Sequence, residues 1–350
     1  MTFRLRICAN LAVLLFMVTA SRGQDIAQAR ALHVGGFADL ELHTTSENER
    51  EGLDFAELDV FSTLQLSNAW SALGEAVVLR TWRDRDERFD TDLERLYVEY
   101  STSDALRLEI GETQTGIIRW NEREHQSRFL QTPIDLPAIA RRPQDDGAWP
   151  LRFAGIWASG RLPGPLGISW GAGAGAGPGR VRDSTPLSKD RSPATLLSLS
   201  TSPDAVPGLE LAAAAYVGRV QLNPGRIDER DVTLSVNYVA SGNEVRAEWA
   251  RMNHRLSSAP ASYRTTGYYM LFSRRLSGRA ERIRPYFLLD RLTIARGETY
   301  LADATDENAW ATGARYDVTQ RFSVKGEYRS QRAINGDRET VVGVQFGLSF

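Results

Sequence analysis

Cysteine is almost missing from this chain. Of 350 residues only Cys8 carries a thiol, and it sits close to the start. A disulfide framework, a cysteine zinc site and a thiol nucleophile are therefore excluded from everything downstream. Lysine is nearly as scarce: Lys189 and Lys325 are the only two, and every other basic residue is arginine. With a formal net charge of −2 there is no basic surplus for nucleic acid and no polybasic surface. Long apolar runs are missing too. Beyond the first twenty residues no stretch is long and apolar enough for a membrane-spanning helix, and no amphipathic helix of three turns follows Gln24.

What is present begins with a short leader. Arg4 and Arg6 precede the apolar run Ile7 to Val18, and Val18-Thr19-Ala20 offers small residues for cleavage. This is the layout of a secretory signal peptide, so residues 1–20 are expected to be removed and 21–350 to form the mature chain.

From there to the end, segments of about ten residues alternate apolar and polar side chains, the period of a strand with two unlike faces. In LHVGGFADLEL, Leu32, Val34, Ala38, Leu40 and Leu42 share one face while Asp39 and Glu41 take the other. LERLYVEY sets Leu96, Val98 and Tyr100 against Arg95 and Glu99, and ALRLEIG sets Leu106, Leu108 and Ile110 against Arg107 and Glu109. Near the end, Phe322, Val324 and Tyr328 oppose Arg321, Lys325, Glu327 and Arg329, and VVGVQFGLSF closes on Phe350. Periodicity alone fits a soluble sandwich as well as a membrane barrel. Two further features favour the barrel: no strand reads as apolar on both faces, and the links between segments alternate in kind.

Sixteen segments can be counted, beginning near Leu32, Phe55, Leu73, Leu93, Ala105, Leu151, Ile168, Ala194, Leu209, Asp231, Glu244, Arg264, Arg282, Asn308, Arg321 and Glu339. The odd-numbered links are mostly long and charged, as in TTSENEREG and RDRDERFDTD. The even-numbered ones are mostly short, as in NAWS, TSD and SGN. Long loops on one rim and tight turns on the other belong to a transmembrane antiparallel barrel, and a sandwich gives no reason for that parity. The fold class expected is all-β, a transmembrane antiparallel β-barrel of about 16 strands. Arg95, Glu99, Arg107, Glu109, Lys325 and Glu327 are expected on the lumen wall. Trp70, Trp82, Tyr100, Trp157, Trp170, Trp249, Trp310 and Tyr328 lie near segment ends, as interfacial girdles do. The run GAGAGAG at 171–177 has neither the spacing nor the following helix of a phosphate loop, and reads as a strand of small residues beside a crowded lumen.

One link outgrows the rest. Between Gly111 and Pro150, at the third long loop, lies a connection too long to be structureless without a function. From about 115 to 149 it is expected to fold into the lumen as a constriction loop. It carries Arg119, Trp120, Asn121, Glu122, Arg123, Glu124, Arg128, Asp135, Arg141 and Arg142, with Asp145 and Asp146 nearby. Mixed charges there would either set a transverse field across a narrow pore or pair with one another and the wall. His125 lacks a histidine partner nearby in sequence and reads as solvated, not as a metal ligand or base. The cluster Asp84, Asp86, Asp90 and Asp92 lacks the spacing of a calcium loop and reads as a solvated surface loop.

Trp120-Asn121, then Phe129-Leu130-Gln131-Thr132, then Trp149-Pro150 running into LRFAGIWASG, is similar to a porin-like family related to phosphate-selective porins. With the leader, the sixteen segments and the terminal aromatic, the chain resembles the bacterial outer-membrane porin superfamily. The resemblance implies passive diffusion of small hydrophilic solutes or ions across the bacterial cell outer membrane. It implies lipid and lipopolysaccharide around the barrel, and a homotrimer as the oligomer. It also implies Phe350 as the signal read by the barrel-assembly machinery. Phosphate-selective relatives are expected to line the lumen with basic residues, often lysine; two lysines and inward glutamates depart from that. No cofactor, metal or nucleic acid is expected. The alternative functions are a non-conducting structural or adhesive outer-membrane barrel, and an outer-membrane hydrolase. The hydrolase would need a nucleophile, base and orienting group held together, and the histidines have no local partner pattern.

Overall fold

The computed structural model describes residues 31–45, 52–83, 86–124, 129–141, 147–177, 193–221, 226–257, 261–298, 300–301, 306–332 and 338–350. The expected signal peptide thus lies outside the described residues. Sixteen strands follow in order: β1 (Leu32–Thr45), β2 (Gly52–Gln65), β3 (Trp70–Arg83), β4 (Asp86–Ser103), β5 (Leu106–Gln114), β6 (Arg152–Arg161), β7 (Ile168–Ala176) and β8 (Pro193–Thr201). The second half comprises β9 (Leu209–Gln221), β10 (Arg226–Ala240), β11 (Asn243–Leu256), β12 (Ser262–Arg274), β13 (Ile283–Thr293), β14 (Glu307–Asp317), β15 (Phe322–Arg332) and β16 (Arg338–Ser349). Each pairs antiparallel with the next, and β16 pairs with β1, so the sheet is a closed barrel with no free edge. The alternation of side chains dictates this: every segment expected from period two is a strand.

The faces are sorted as the pattern requires. Outward residues such as Ile110, Val236, Leu234, Val217 and Leu199 are exposed apolar side chains, whereas Asp59, Glu75, Glu109, Asp231 and Glu248 point inward and are buried. A soluble barrel has the reverse polarity; this one is built to be solvated by hydrocarbon outside. Aromatics mark the outer surface. Trp70 and Tyr100 pack with ring centroids 4.9 Å apart, and Phe287, Trp310 and Tyr328 form a row across β13, β14 and β15. Trp157 does not belong to that set. It pairs with Glu109 on the inward parity and lies across Gly171 and Gly173, where a side chain would collide with its indole. The side chain of Trp82 lies outside the described residues.

Short turns close one rim. A two-residue turn joins β10 to β11 through Ser241 and Gly242, at φ 52° and 79°. Two successive positive φ values make the mirror-image turn that matches strand twist, and glycine tolerates it without strain. One link on the opposite rim is less extensive than the sequence suggests. Of RDRDERFDTD, residues Asp86 onward belong to β4 and pair with β3 through Arg83 opposite Asp86. The acidic cluster is therefore not a surface loop: Asp86, Asp90 and Asp92 are strand residues, and Asp84 lies outside the described residues. Strands here outrun the apolar band, and their charged ends read as loop. Within β4, Glu94 is an extra residue between Leu93 and Arg95, which face Ala76 and Glu75. This bulge tightens the local twist.

A second correction concerns the interior. β12 and β13 are apolar on both faces: Tyr269, Leu271, Tyr286 and Leu288 are buried inward, while Tyr268, Met270, Phe287 and Leu289 are exposed outward. The inward set belongs to a core cluster that also holds Ile117, Ile118, Trp120, Ile139 and Trp149 from the β5–β6 link. On β12 and β13 the inner wall presents apolar side chains to the link that covers it.

Candidate functional site

The link leaves β5 through a narrow neck. Thr115 N–H donates to Leu151 O at 2.7 Å, and its Oγ1 donates to Pro150 O at 2.7 Å, so both ends are held together. From there the chain reaches strands far from its own. Thr233 Oγ1 on β10 donates to Ile117 O at 2.6 Å. A short helix, α1 (Arg119–Glu124), begins at the β11 residue Glu248, whose carboxylate accepts Arg119 N–H at 2.7 Å and Trp120 N–H at 3.3 Å. First-turn N–H groups lack helical partners, and a carboxylate also suits the positive end of the helix dipole. Tyr269 O–H reaches the same carboxylate at 3.4 Å, and the Tyr269 ring meets Trp120 edge-on at 5.1 Å.

Charges on α1 are matched to the wall. Arg119 Nε donates to Glu210 Oε1 on β9 at 2.9 Å, Arg123 pairs with the same carboxylate, and Arg119 also pairs with Glu122. Burial works against the charge of Arg119, but its bonds to Glu210 and Glu122 outweigh that and raise its pKa above the ordinary arginine value. Glu124 takes a hydrogen bond from Arg246 of β11 at 2.5 Å, and that guanidinium also lies 5.6 Å from the centre of the Trp120 ring. Asn121 is buried beneath them.

His125 and Arg128 lie outside the described residues, and from Phe129 the link runs along the wall. Arg315 of β14 donates to Gln131 O at 3.1 Å and lies over the Phe129 ring at 5.1 Å. Thr132 Oγ1 donates to Glu244 of β11 at 3.0 Å. Lys325 Nζ of β15 donates to Pro133 O at 3.0 Å, and the neighbouring Glu327 accepts Ile134 N–H at 3.1 Å and Tyr286 O–H at 2.7 Å. Asp135 is 3.8 Å from Arg329. Ala138 N–H donates to Asp290 of β13 at 2.9 Å, and Arg141 pairs with Glu307 of β14 at 3.1 Å. Arg329, 1% exposed, joins Asp290 at 3.1 Å and Glu307 at 3.3 Å. Ile139 presses on the backbone of Gly267 in β12, where any side chain would collide with it. Arg142, Asp145 and Asp146 lie outside the described residues.

The named wall residues divide between two environments. Lys325 and Glu327 are buried under the link. Arg95 is buried against Glu75, and Glu109 is buried with Arg107 at 3.5 Å. Arg107 itself is half exposed, close to the short-turn rim, and Glu99 is partly buried. Buried ion pairs of this kind hold geometry more than they add stability, because desolvation offsets much of the attraction.

Sequence reasoning missed a further contact. His254 of β11 is 1% exposed and lies 2.9 Å from Glu229 of β10 through Nε2 and 2.9 Å from Glu298 through Nδ1. Glu298 belongs to the β13–β14 link, which also sends Leu301 into the core cluster. Spacing in sequence gives no hint of it, since the three residues sit in different elements.

No protein-family model matches the chain, and no curated protein does. Among solved structures, an anion-selective porin from Comamonas acidovorans superposes with a TM-score of 0.63 at 13% identity, covering 91% of this chain and 99% of that one. The outer membrane channel DcaP of Acinetobacter baumannii gives 0.61 at 12% identity, with 94% and 99% covered. OmpT, an outer membrane protein of Vibrio cholerae in its trimer form, gives 0.59 at 8% identity, with 92% and 100% covered. At these identities the likeness is one of fold, and the fold is that of outer-membrane porins.

Proposed function

We propose that this chain is a channel of the bacterial outer membrane through which small hydrophilic solutes and ions diffuse passively. Segment 115–149 is its constriction. One observation carries the reading. The segment leaves β5, crosses to β9–β15, and satisfies its backbone N–H and C=O groups on inward-facing Glu248, Thr233, Arg315, Lys325, Glu327 and Asp290. A sixteen-stranded barrel leaves an aqueous lumen that wall side chains alone do not close, so a segment anchored this way sets its width. Arg119, Glu122, Arg123, Glu124, Arg128, Asp135, Arg141 and Arg142 then line or brace the opening. Arg95, Glu99, Arg107 and Glu109 flank it on the opposite wall.

Within this class the motif stretch from Trp120 to Trp149 supports kinship with phosphate-selective porins. Inward Glu75, Glu94, Glu109 and Glu244 argue against phosphate as the solute. Lipid and lipopolysaccharide surround the apolar band. The assembly machinery reads Phe350, and three copies associate, as in the trimer form of the Vibrio protein. Removal of 1–20 precedes all of this. Purified protein in a planar bilayer tests the channel: stepwise ion currents are expected, and a folded barrel that passes none overturns the reading. The apolar cluster inside the barrel favours the competing view, a non-conducting structural barrel, and the same recording decides between them.

A further inference from the structure

The inner wall changes character over three adjacent strands. On β8 and β9, Leu196 pairs with Tyr216, and both side chains are buried. One inward step toward the short turns, Ser198 pairs with Ala214 and Ala214 with Thr233. One step further, Ser200 pairs with Ala212 and Ala212 with Ser235. Six small side chains thus form a block two rows deep beside large ones. The drop in side-chain size leaves a recess, open to the lumen, faced by Gly116, Arg119 and Glu122 of the β5–β6 link. Glu210, the next inward residue of β9, bounds it by pairing with Arg119 and Arg123.

The lining defines what fits. Ser198, Ser200, Thr233 and Ser235 each carry a hydroxyl that donates and accepts, and Thr233 already donates to Ile117 O. Across from them the charges balance: Arg119 and Arg123 against Glu210 and Glu122. Such a recess has little net pull on an ion of either sign. What it offers is the half-exposed Glu122 carboxylate as a strong acceptor, hydroxyls opposite, and alanine methyls between. A short carbon chain bearing several hydroxyls matches all three properties.

We propose that this recess is a binding site for small neutral polyols passing through the barrel, an inference that rests on the channel reading above. The experiment is a planar-bilayer salt current recorded with rising xylitol, with glycine and phosphate as zwitterionic and anionic probes. Xylitol should lower the current saturably, beyond the effect of viscosity. Ala212→Leu and Ser200→Val, which fill the recess, should each raise the half-saturating concentration about tenfold. A current that follows viscosity alone overturns the proposal. So does saturation by glycine or phosphate in place of xylitol, or an unchanged xylitol response in both filled variants that fold. A folded barrel without salt current overturns the channel reading instead. Equilibrium dialysis of xylitol against the same detergent-solubilised barrel then reads the recess alone, with binding lost in the filled variants supporting it and no binding overturning it.

Discussion

Glu248 accepts the backbone N–H of Arg119 at 2.7 Å, although the two residues are 129 positions apart and sit on opposite partners of the interior, a strand and a link. One buried carboxylate thereby fixes where α1 starts. Glu248→Ala should leave two N–H donors without their partner, at about 1–3 kcal/mol for each buried unsatisfied group. Trypsin should then cut at Arg119 and Arg123 in the folded variant much faster than in the parent. Equal cleavage rates would mean that the bond does not hold the helix.

The width of the opening should follow the length of the segment. Removing residues between Gln126 and Asp145 should raise single-channel conductance. A shortened protein that folds and conducts as before would clear the segment of that role.

Charge near α1 should set ion preference. Replacing Arg119, Arg123 and Arg128 by glutamine removes three positive charges from the segment, two of them paired with Glu210, so reversal potentials in a salt gradient should move toward cations. A shift toward anions, or none, contradicts the placement of these arginines at the opening.

Side-chain parity makes a sharp test of the wall. Leu108 faces outward and its neighbour Arg107 inward, paired with Glu109. Leu108→Arg puts a charge on the lipid face at a cost that grows with depth, from about 0–1 kcal/mol near the interface to about 2–4 at the midplane, whereas Arg107→Leu should cost less. Urea titration of refolding in lipid vesicles reads the difference.

Ile139 and Gly267 touch so closely that β12 has no room for a side chain there. Gly267→Val should displace the segment while the barrel still closes. The expected signature is a changed conductance with unaltered heat-modifiable mobility on a gel; an unchanged conductance would show that the wall absorbs the methyl groups.

Strands were legible because one face meets hydrocarbon and the other does not, which writes a period of two into nearly every segment. Their upper ends were not. Asp86, Glu87 and Asp90 carry no such contrast in sequence, although β4 runs through them. The link itself was legible by length. Its anchors were not, because Thr233, Glu248, Asp290 and Lys325 come from separate strands that only the closed barrel brings together. A partial signal did exist: YYMLF at 268–272 and YFLL at 286–289 are continuous apolar runs, the mark of a strand covered on both faces. Those runs told of something lying against β12 and β13 without telling what.

The seam of the barrel has a consequence for the order of its making. Gly36 and Phe350 exchange backbone hydrogen bonds at 3.0 and 3.1 Å, joining β1 to the end of the chain, while every other strand pair joins neighbours in sequence. Hairpins can form as soon as two adjacent strands meet, but this pair has to wait for all the others. Until then β1 stands with one row of N–H and C=O groups open, a template for any passing strand. A chaperone that shields that row during export would protect the whole barrel, and a truncation that removed β16 would leave the row open permanently.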